Sequence, residues 1–413
     1  MNILLINHYA GSPRHGMAYR PYYLAREWIH LGHQVRIVAA SHSHLRSVAP
    51  ATSGPVTEES VDGIPYVWLR TPAYHGNGVR RALNMVAFVG RLTRYATTLV
   101  QGKAPDVVIA SSTYPLDNVP ARRIARRWGA RHVFEVHDLW PLSPIELGGM
   151  SPRHPFILLM QWAENYACRH AHKVISILPG TRPHLEAHGM PPERFFHVPN
   201  GISPAEWSAA RQPLPEEHAH VIQGLRSQDH FVLGYAGGHA LSNALGPLVE
   251  AAAFLKHRRI AIVLVGSGVQ KPALVAAAQS YGLGNIFFLP PVLKACVPEL
   301  LEAMDALYLG WQNKPIYRFG VSPNKVFDYM MAARPIIHST GAGNDVVVEA
   351  GCGISVPPEE PAAIADAILQ LAALPREERE RMGQRGRDYV LRHHDYAVLA
   401  RRFLEALQQP KHE

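Results

Sequence analysis

Apolar residues in this chain gather in short unbroken runs separated by longer amphipathic stretches. In the first half, the runs at 2–9, 34–41, 65–69, 106–112, 132–138 and 173–178 predict strands. Each is rich in Val, Ile or Leu and is bounded by polar residues, Gly or Pro. Helical spacing fills intervals such as 16–31 and 121–128. Strands without apolar–polar alternation are buried on both faces, so the pattern predicts a parallel sheet covered by helices on each side. The same grammar restarts at 231–236, 260–265, 285–289, 306–309, 335–338 and 353–356. Between the two series lies 202–226, Pro-rich and poor in strands, which reads as a linker.

A length of 413 residues suits two domains of about 200 residues each. The expected organisation is an α/β fold of two doubly wound, Rossmann-like domains, 1–201 and 227–387, facing an inter-domain cleft. A helical segment at 388–413 is placed to pack back on the first domain. Such domains hold their ligands beyond the carboxyl ends of the strands.

Composition adds compartment and partners. An apolar fraction of 47% and a charged fraction of 18% are those of a globular protein. Cys168, Cys296 and Cys352 are too few and scattered for a disulfide framework or a zinc site, which fits a reducing compartment. The start MNILLINHYAGSP has no basic segment and no cleavage site, so no signal peptide is expected. No run reaches about 18 apolar residues, the length of a membrane span. The expected location is the cytoplasm. The net charge of +8 is one-sided: residues 1–200 hold 21 Lys and Arg against 12 Asp and Glu, whereas the remainder is nearly balanced. A basic first half suits an anionic partner, either nucleic acid or a phospholipid surface; alternatively it is only a solvated surface.

Several chemistries are excluded by missing motifs. No Asp-x-Asp is present to hold a divalent metal against a diphosphate, and there is no Walker sequence or Gly-x-Ser-x-Gly elbow. Gly266-Ser267-Gly268 follows a strand, but Lys271 stands where the dinucleotide fingerprint needs its third glycine. The densest stretch is 310–335, GWQNKPIYRFGVSPNKVFDYMMAARP. It leaves a strand, crosses a loop bearing Lys314, Arg318, Gly320, Ser322 and Lys325, and enters a helix containing Asp328. Ser322 with Pro323 predicts the cap and first turn, which aims the free amides of Asn324 and Lys325 outward. A helix start beside cationic side chains is a diphosphate site, and Asp328 one turn on can accept hydrogen bonds from the vicinal hydroxyls of a ribose. The competing reading is a solvated basic loop with Asp328 as a helix-dipole partner.

Asp328-x6-Pro335, preceded by Ser322-Pro323-Asn324-Lys325, resembles the second half of the Glu-x7-Glu signature of retaining GT-B enzymes of glycosyltransferase family 4. Asn200-Gly201 within HVPNGIS, Gly237-Gly238 after the first strand of the second series, Gly32-His33 and His137-Asp138 follow in the family's order. Within that family the chain looks closest to bacterial cell-envelope enzymes of the N-acetyl-fucosaminyl-transferase type. Donor binding is expected of Gly16, Gly237, Gly238, Gly320, Ser322, Asn324, Lys325 and Asp328, and the resemblance implies contact of His137 with the transferred sugar. It places the 11–20 loop, with His15 and Arg20, on the acceptor side. Two departures stand out: Gly320 occupies the position of the first Glu, and His239 and Asn243 stand in the segment where most members carry Arg and Lys. Lys325 and Arg318 are the nearest replacements for that charge and are expected, with His137, to be catalytic.

The stretch 79–100 combines Arg80, Arg81, Arg91 and Arg94 with Leu83, Met85, Val86, Phe88, Val89 and Leu92. It predicts a basic amphipathic helix, suited to an anionic bilayer or to the edge of an ordinary domain. The expected protein is therefore a metal-independent retaining transferase without cofactor. It would move a sugar from a UDP donor to a polyprenyl-diphosphate-linked saccharide at the inner membrane face. The rivals are a non-hydrolysing UDP-sugar 2-epimerase, whose acidic residues are not located, and a nucleic-acid-binding protein, for which no interleaved aromatic and basic motif appears.

Overall fold

The apolar runs build two separate sheets in a computed structural model, which describes residues 1–76, 78–209 and 211–408. The first unit comprises Met1–Asn200 and the helix Tyr396–Gln408, and the second comprises Gly201–Asp395. Strands β1 (Asn2–Ile6), β2 (Gln34–Ala40), β3 (Val56–Val61), β4 (Ile64–Leu69), β5 (Val107–Ala110), β6 (Arg131–Val136), β7 (Lys173–Ser176) and β8 (Phe195–His197) form the first sheet. Its order is β3-β4-β2-β1-β5-β6-β7-β8, and every neighbouring pair is parallel except β3 with β4. Strands β3 and β8 escape the periodicity because both lie at sheet edges. VTEESV leaves its polar residues exposed or half-buried, and FFH is three half-buried residues long.

Within β1, Ile3 and Leu5 join one buried cluster while Leu4 and Ile6 join another, as expected for a strand covered on both faces. The helices Arg20–His30 and Tyr396–Gln408 close the first face, where Trp28 Nε1 donates to the Ala400 carbonyl at 3.2 Å and packs on Phe403. The other face carries Phe88 and Leu92 of the helix Val79–Arg94 and Ile124 of the helix Asn118–Arg127.

The second sheet contains β9 (Phe231–Ala236), β10 (Ile260–Val265), β11 (Ile286–Leu289), β12 (Ala306–Gly310), β13 (Ile336–Ser339) and β14 (Gly353–Val356), in the order β11-β10-β9-β12-β13-β14, all parallel. Each sheet therefore reverses its order beside its first parallel strand, at β1/β5 and at β9/β12. Such switch points open a crevice at the carboxyl ends.

Three expectations need correction. Residues 202–226 are not a free linker: they hold the helices Pro204–Ser208 and Glu216–Ser227, and Trp207, Ile222 and Leu225 pack into the second core. The prolines that suggested a loop sit at helix starts, Pro204 in the first turn and Pro215 at the N-cap. The first helix begins at Arg20, so 16–19 is loop. The terminal segment is split: the helix Arg376–His393 belongs to the second unit, and only the helix from Tyr396 joins the first. Residues 409–413 lie outside the described residues. No helix among the described residues is long and apolar enough to cross a membrane.

Candidate functional site

Beside the switch point of the second sheet, the carboxyl ends of β9 and β10 meet the helix Asn324–Met331 around a cleft of about 320 Å³. Gly237, Gly238, Gly266 and Ser267 form its floor, Lys325 and Asp328 project from the helix, and Pro291, Val292, Val297 and Leu301 supply an apolar wall. Lys325 and Asp328 share a helix face because they are three residues apart.

The Lys325 ammonium donates to Tyr235 Oη at 2.8 Å and to Asn243 Oδ1 at 2.7 Å, and lies 4.8 Å from the Tyr235 ring centre. Tyr235 Oη and Asn243 Nδ2 both donate onward to the Gly238 carbonyl. Asn243 thus positions Lys325 instead of supplying charge itself. Burial lowers the Lys325 pKa to about 8. A Cβ on Gly237, whose φ is +150°, would lie 2.5 Å from Lys325 Cε, so the side chain reaches its partners only across a bare glycine. Lys271, the residue that breaks the glycine fingerprint, donates to the carbonyls of Gly266 and Leu289, both at 2.9 Å, and brings a second cation under the turn.

Asp328 has no side-chain hydrogen-bond partner among the described residues, and burial, opposed by Lys294, raises its pKa to about 7. His239 is fully buried with neither ring nitrogen partnered, and burial, then Lys271 and Lys325, pulls its pKa down to about 4. The cleft thus sets the Lys325 ammonium, the Asp328 carboxylate and an apolar wall side by side.

A second cluster caps the first sheet at its own switch point. Asn7 follows β1, Ser111 follows β5, Glu135 lies near the end of β6, and His137 follows one residue past that end. Glu135 is buried and accepts from Arg20 Nε at 2.9 Å, Ser111 Oγ at 2.5 Å and His137 Nε2 at 3.1 Å. Burial alone would push its pKa up, but Arg20, then His137 and Ser111, hold it at about 2. With the His137 proton on Nε2 toward this carboxylate, Nδ1 is left as an acceptor on a ring whose side chain is 17% exposed.

Several predicted residues lie elsewhere. Arg20 is not an acceptor contact: it is 4% exposed and spans Glu135 and the carbonyls of Val198 and Pro199. His15 is also buried, held by Ser12 Oγ at 2.9 Å and facing Glu59 at 3.4 Å. Gly16 is not at a helix start; it pairs with Ser12 and Arg46, and a Cβ there would meet Ser47. Arg318 is exposed on the turn Pro315–Phe319, its guanidinium 4.3 Å above the Phe319 ring. Gly320 ends that turn at φ +97°, and it lies outside the cleft lining together with Ser322 and Asn324. The helix cap is Pro323, not Ser322, and no side chain caps it, because proline holds the extended backbone required just before the first turn.

Sequence reasoning missed Glu135, Tyr235 and the positioning role of Asn243. Glu135 left one signal: a lone carboxylate in the apolar run HVFEV, two residues before His137 and therefore on the same strand face.

Known proteins place the chain. Residues 15–201 match the family model described as "Glycosyl transferase 4-like domain", and residues 230–373 match "Glycosyl transferases group 1". Alpha-D-kanosaminyltransferase of Streptomyces kanamyceticus is 24% identical over 277 residues, covering 63% of this chain and 66% of its own length, just under two thirds. Among solved structures, sucrose-phosphate synthase from Thermosynechococcus elongatus superposes with a TM-score of 0.72 at 16% identity, covering 99% of both chains. Anabaena HepE in complex with UDP and glucose gives 0.67 at 15% identity, over 98% of this chain and 99% of its own. WaaG, a glycosyltransferase involved in lipopolysaccharide biosynthesis, gives 0.65 at 14%, over 99% of this chain and all of its own. The two halves of the chain thus match two glycosyltransferase domain models, one 4-like and one of group 1, and the architecture is the GT-B fold.

Proposed function

We infer that this protein transfers a sugar from a UDP-linked donor, with retention of anomeric configuration and without a metal at the diphosphate. The observation that carries the reading is the pairing of Lys325 and Asp328 on one helix face beside the Gly237-Gly238 turn. The apolar wall of Pro291 and Val292 suits a nucleobase, Asp328 suits the ribose hydroxyls, and Lys325 with the helix start suits the diphosphate. In the reaction, the bond from the anomeric carbon to the diphosphate oxygen breaks and a bond to the acceptor oxygen forms. The acceptor proton passes to the departing diphosphate, whose growing charge Lys325 meets. In the first unit, His137 offers Nδ1 as an acceptor, with Glu135 fixing its ring.

The acceptor is a polyprenyl-diphosphate-linked saccharide of the bacterial cell envelope, met at an anionic membrane surface. Two observations support this. The helix Val79–Arg94 leaves Val79, Leu83 and Val86 exposed beside Arg80 and Arg94. The helix Pro155–His170, packed like it against the basic helix Asn118–Arg127, leaves Leu158, Leu159 and Trp162 exposed. Exposed apolar residues beside arginines are the signature of an interfacial face.

The test is nucleotide release from a panel of UDP-sugars in buffer free of Mg²⁺ and Mn²⁺, with and without a lipid-diphosphate acceptor in anionic vesicles. Acceptor-dependent release that either metal changes by less than about threefold is expected. A metal acting on the diphosphate contributes several kcal/mol, so stimulation of about a hundredfold or more would overturn metal-independent transfer.

A further inference from the structure

The first unit carries a group of side chains that the transfer does not use. The helix Pro155–His170 presents Gln161, Glu164 and Asn165 on one face, and the helix Arg182–Ala187 with its cap residue presents His184 and His188 opposite. Positions three and four apart bring such residues onto one face. Glu164 is buried, at 2% exposed, and shares the buried side of its helix with Met160, Ala163, Ala167 and Cys168. Its Oε1 lies 2.9 Å from His184 Nε2, and its Oε2 lies 3.9 Å from His188 Nε2. One atom from each of the three residues falls within 4.8 Å of the others.

We propose that Glu164, His184 and His188 form a binding site for a borderline divalent transition metal, Zn²⁺ in the first instance, clipping the two helices together. Two imidazoles four residues apart with one carboxylate is a zinc-ligand chemistry, and it disfavours Mg²⁺ and Ca²⁺, which take oxygen ligands. The surrounding hydrogen bonds orient the ligands. His188 Nδ1 lies 2.9 Å from Asn165 Oδ1 and 3.1 Å from Gln161 Nε2; with the ring proton on Nδ1 toward Asn165, the lone pair is on Nε2, the atom that faces Glu164. Gln161 Nε2 donates to Glu164 Oε2 at 2.8 Å and to Asn165 Oδ1 at 2.9 Å, so its two protons hold the carboxylate and the orienting amide together. At 3.9 Å, His188 Nε2 and the carboxylate are too far apart for a hydrogen bond but near the separation of about 3.4 Å between ligand atoms on one tetrahedral zinc. The two histidine side chains are 12% and 26% exposed, so the fourth position is open to water.

The test is calorimetric titration of the full-length protein with Zn²⁺, Mg²⁺ and Ca²⁺, repeated on Asn165→Ala, His188→Gln and a His184→Ala/His188→Ala double variant whose folding is checked by circular dichroism. One saturable equivalent of Zn²⁺ is expected, with no saturation by Mg²⁺ or Ca²⁺. Loss of the orienting amide in Asn165→Ala should weaken Zn²⁺ about 10- to 100-fold, and His188→Gln more than that. The absence of saturable Zn²⁺ binding by the wild type, or wild-type affinity in the double variant or in His188→Gln, would overturn the site.

Discussion

Taking the Glu135 carboxylate out of water costs several kcal/mol, and the fold tolerates it because Arg20, Ser111 and His137 all donate to it. Its pKa of about 2 lies below the ordinary 4.5, so the ionised form stabilises the fold above pH 4.5, and that contribution is lost as pH falls toward 2. At 1.36 kcal/mol per unit this amounts to roughly 3 kcal/mol. Arg20→Ala removes the charge partner and also leaves the Val198 and Pro199 carbonyls without their donor. Urea denaturation at pH 7 should show a loss of about 3–5 kcal/mol, and the variant should lose the acid sensitivity between pH 4.5 and 2 that Glu135 gives the wild type. A loss under about 1 kcal/mol would mean that Arg20 is not the strut described.

Among the elements, the turn after β9 and the helix Asn324–Met331 depend on each other. Lys325 reaches Tyr235 and Asn243 by passing over Gly237, and a methyl group there would collide with it. Gly237→Ala should therefore displace the ammonium, weakening UDP about tenfold or more, the scale of one charge-assisted hydrogen bond, while the second core stays intact. Equal UDP affinity in Gly237→Ala and wild type would show that Lys325 does not meet the nucleotide. The glycine pair and the helix were legible in the sequence because unbroken apolar runs and a Pro-bounded helix start are local signals. Pairings across the fold were not: nothing in Tyr235, Asn243 or Glu135 alone shows what each faces once the strands are ordered. The same limit applies to Arg20 and Arg318. One is a buried strut and the other an exposed cation stacked on Phe319, and charge along the chain does not distinguish them. Residues 202–226 were misread for the opposite reason, since proline opens helices as readily as it breaks them.

Over the whole molecule, the positive charge and the cleft fall in different units. The first 200 residues carry the positive excess and the exposed apolar helix faces, and the second unit carries the cleft with Lys325 and Asp328. The account stands on that cleft being the nucleotide site. The measurement that bears on it most directly is calorimetric titration of the full-length protein with UDP from pH 5.5 to 9.5, for wild type and Asp328→Ala. Asp328 must be ionised to accept ribose hydroxyls, so wild-type affinity should rise as pH increases through about 7. Lys325 must be protonated to meet the diphosphate, so affinity should fall above about 8. Asp328→Ala should bind UDP about ten- to a hundredfold more weakly at pH 7.5, losing the rise and keeping the fall. A wild-type affinity that is flat with pH and unchanged in Asp328→Ala would contradict the account.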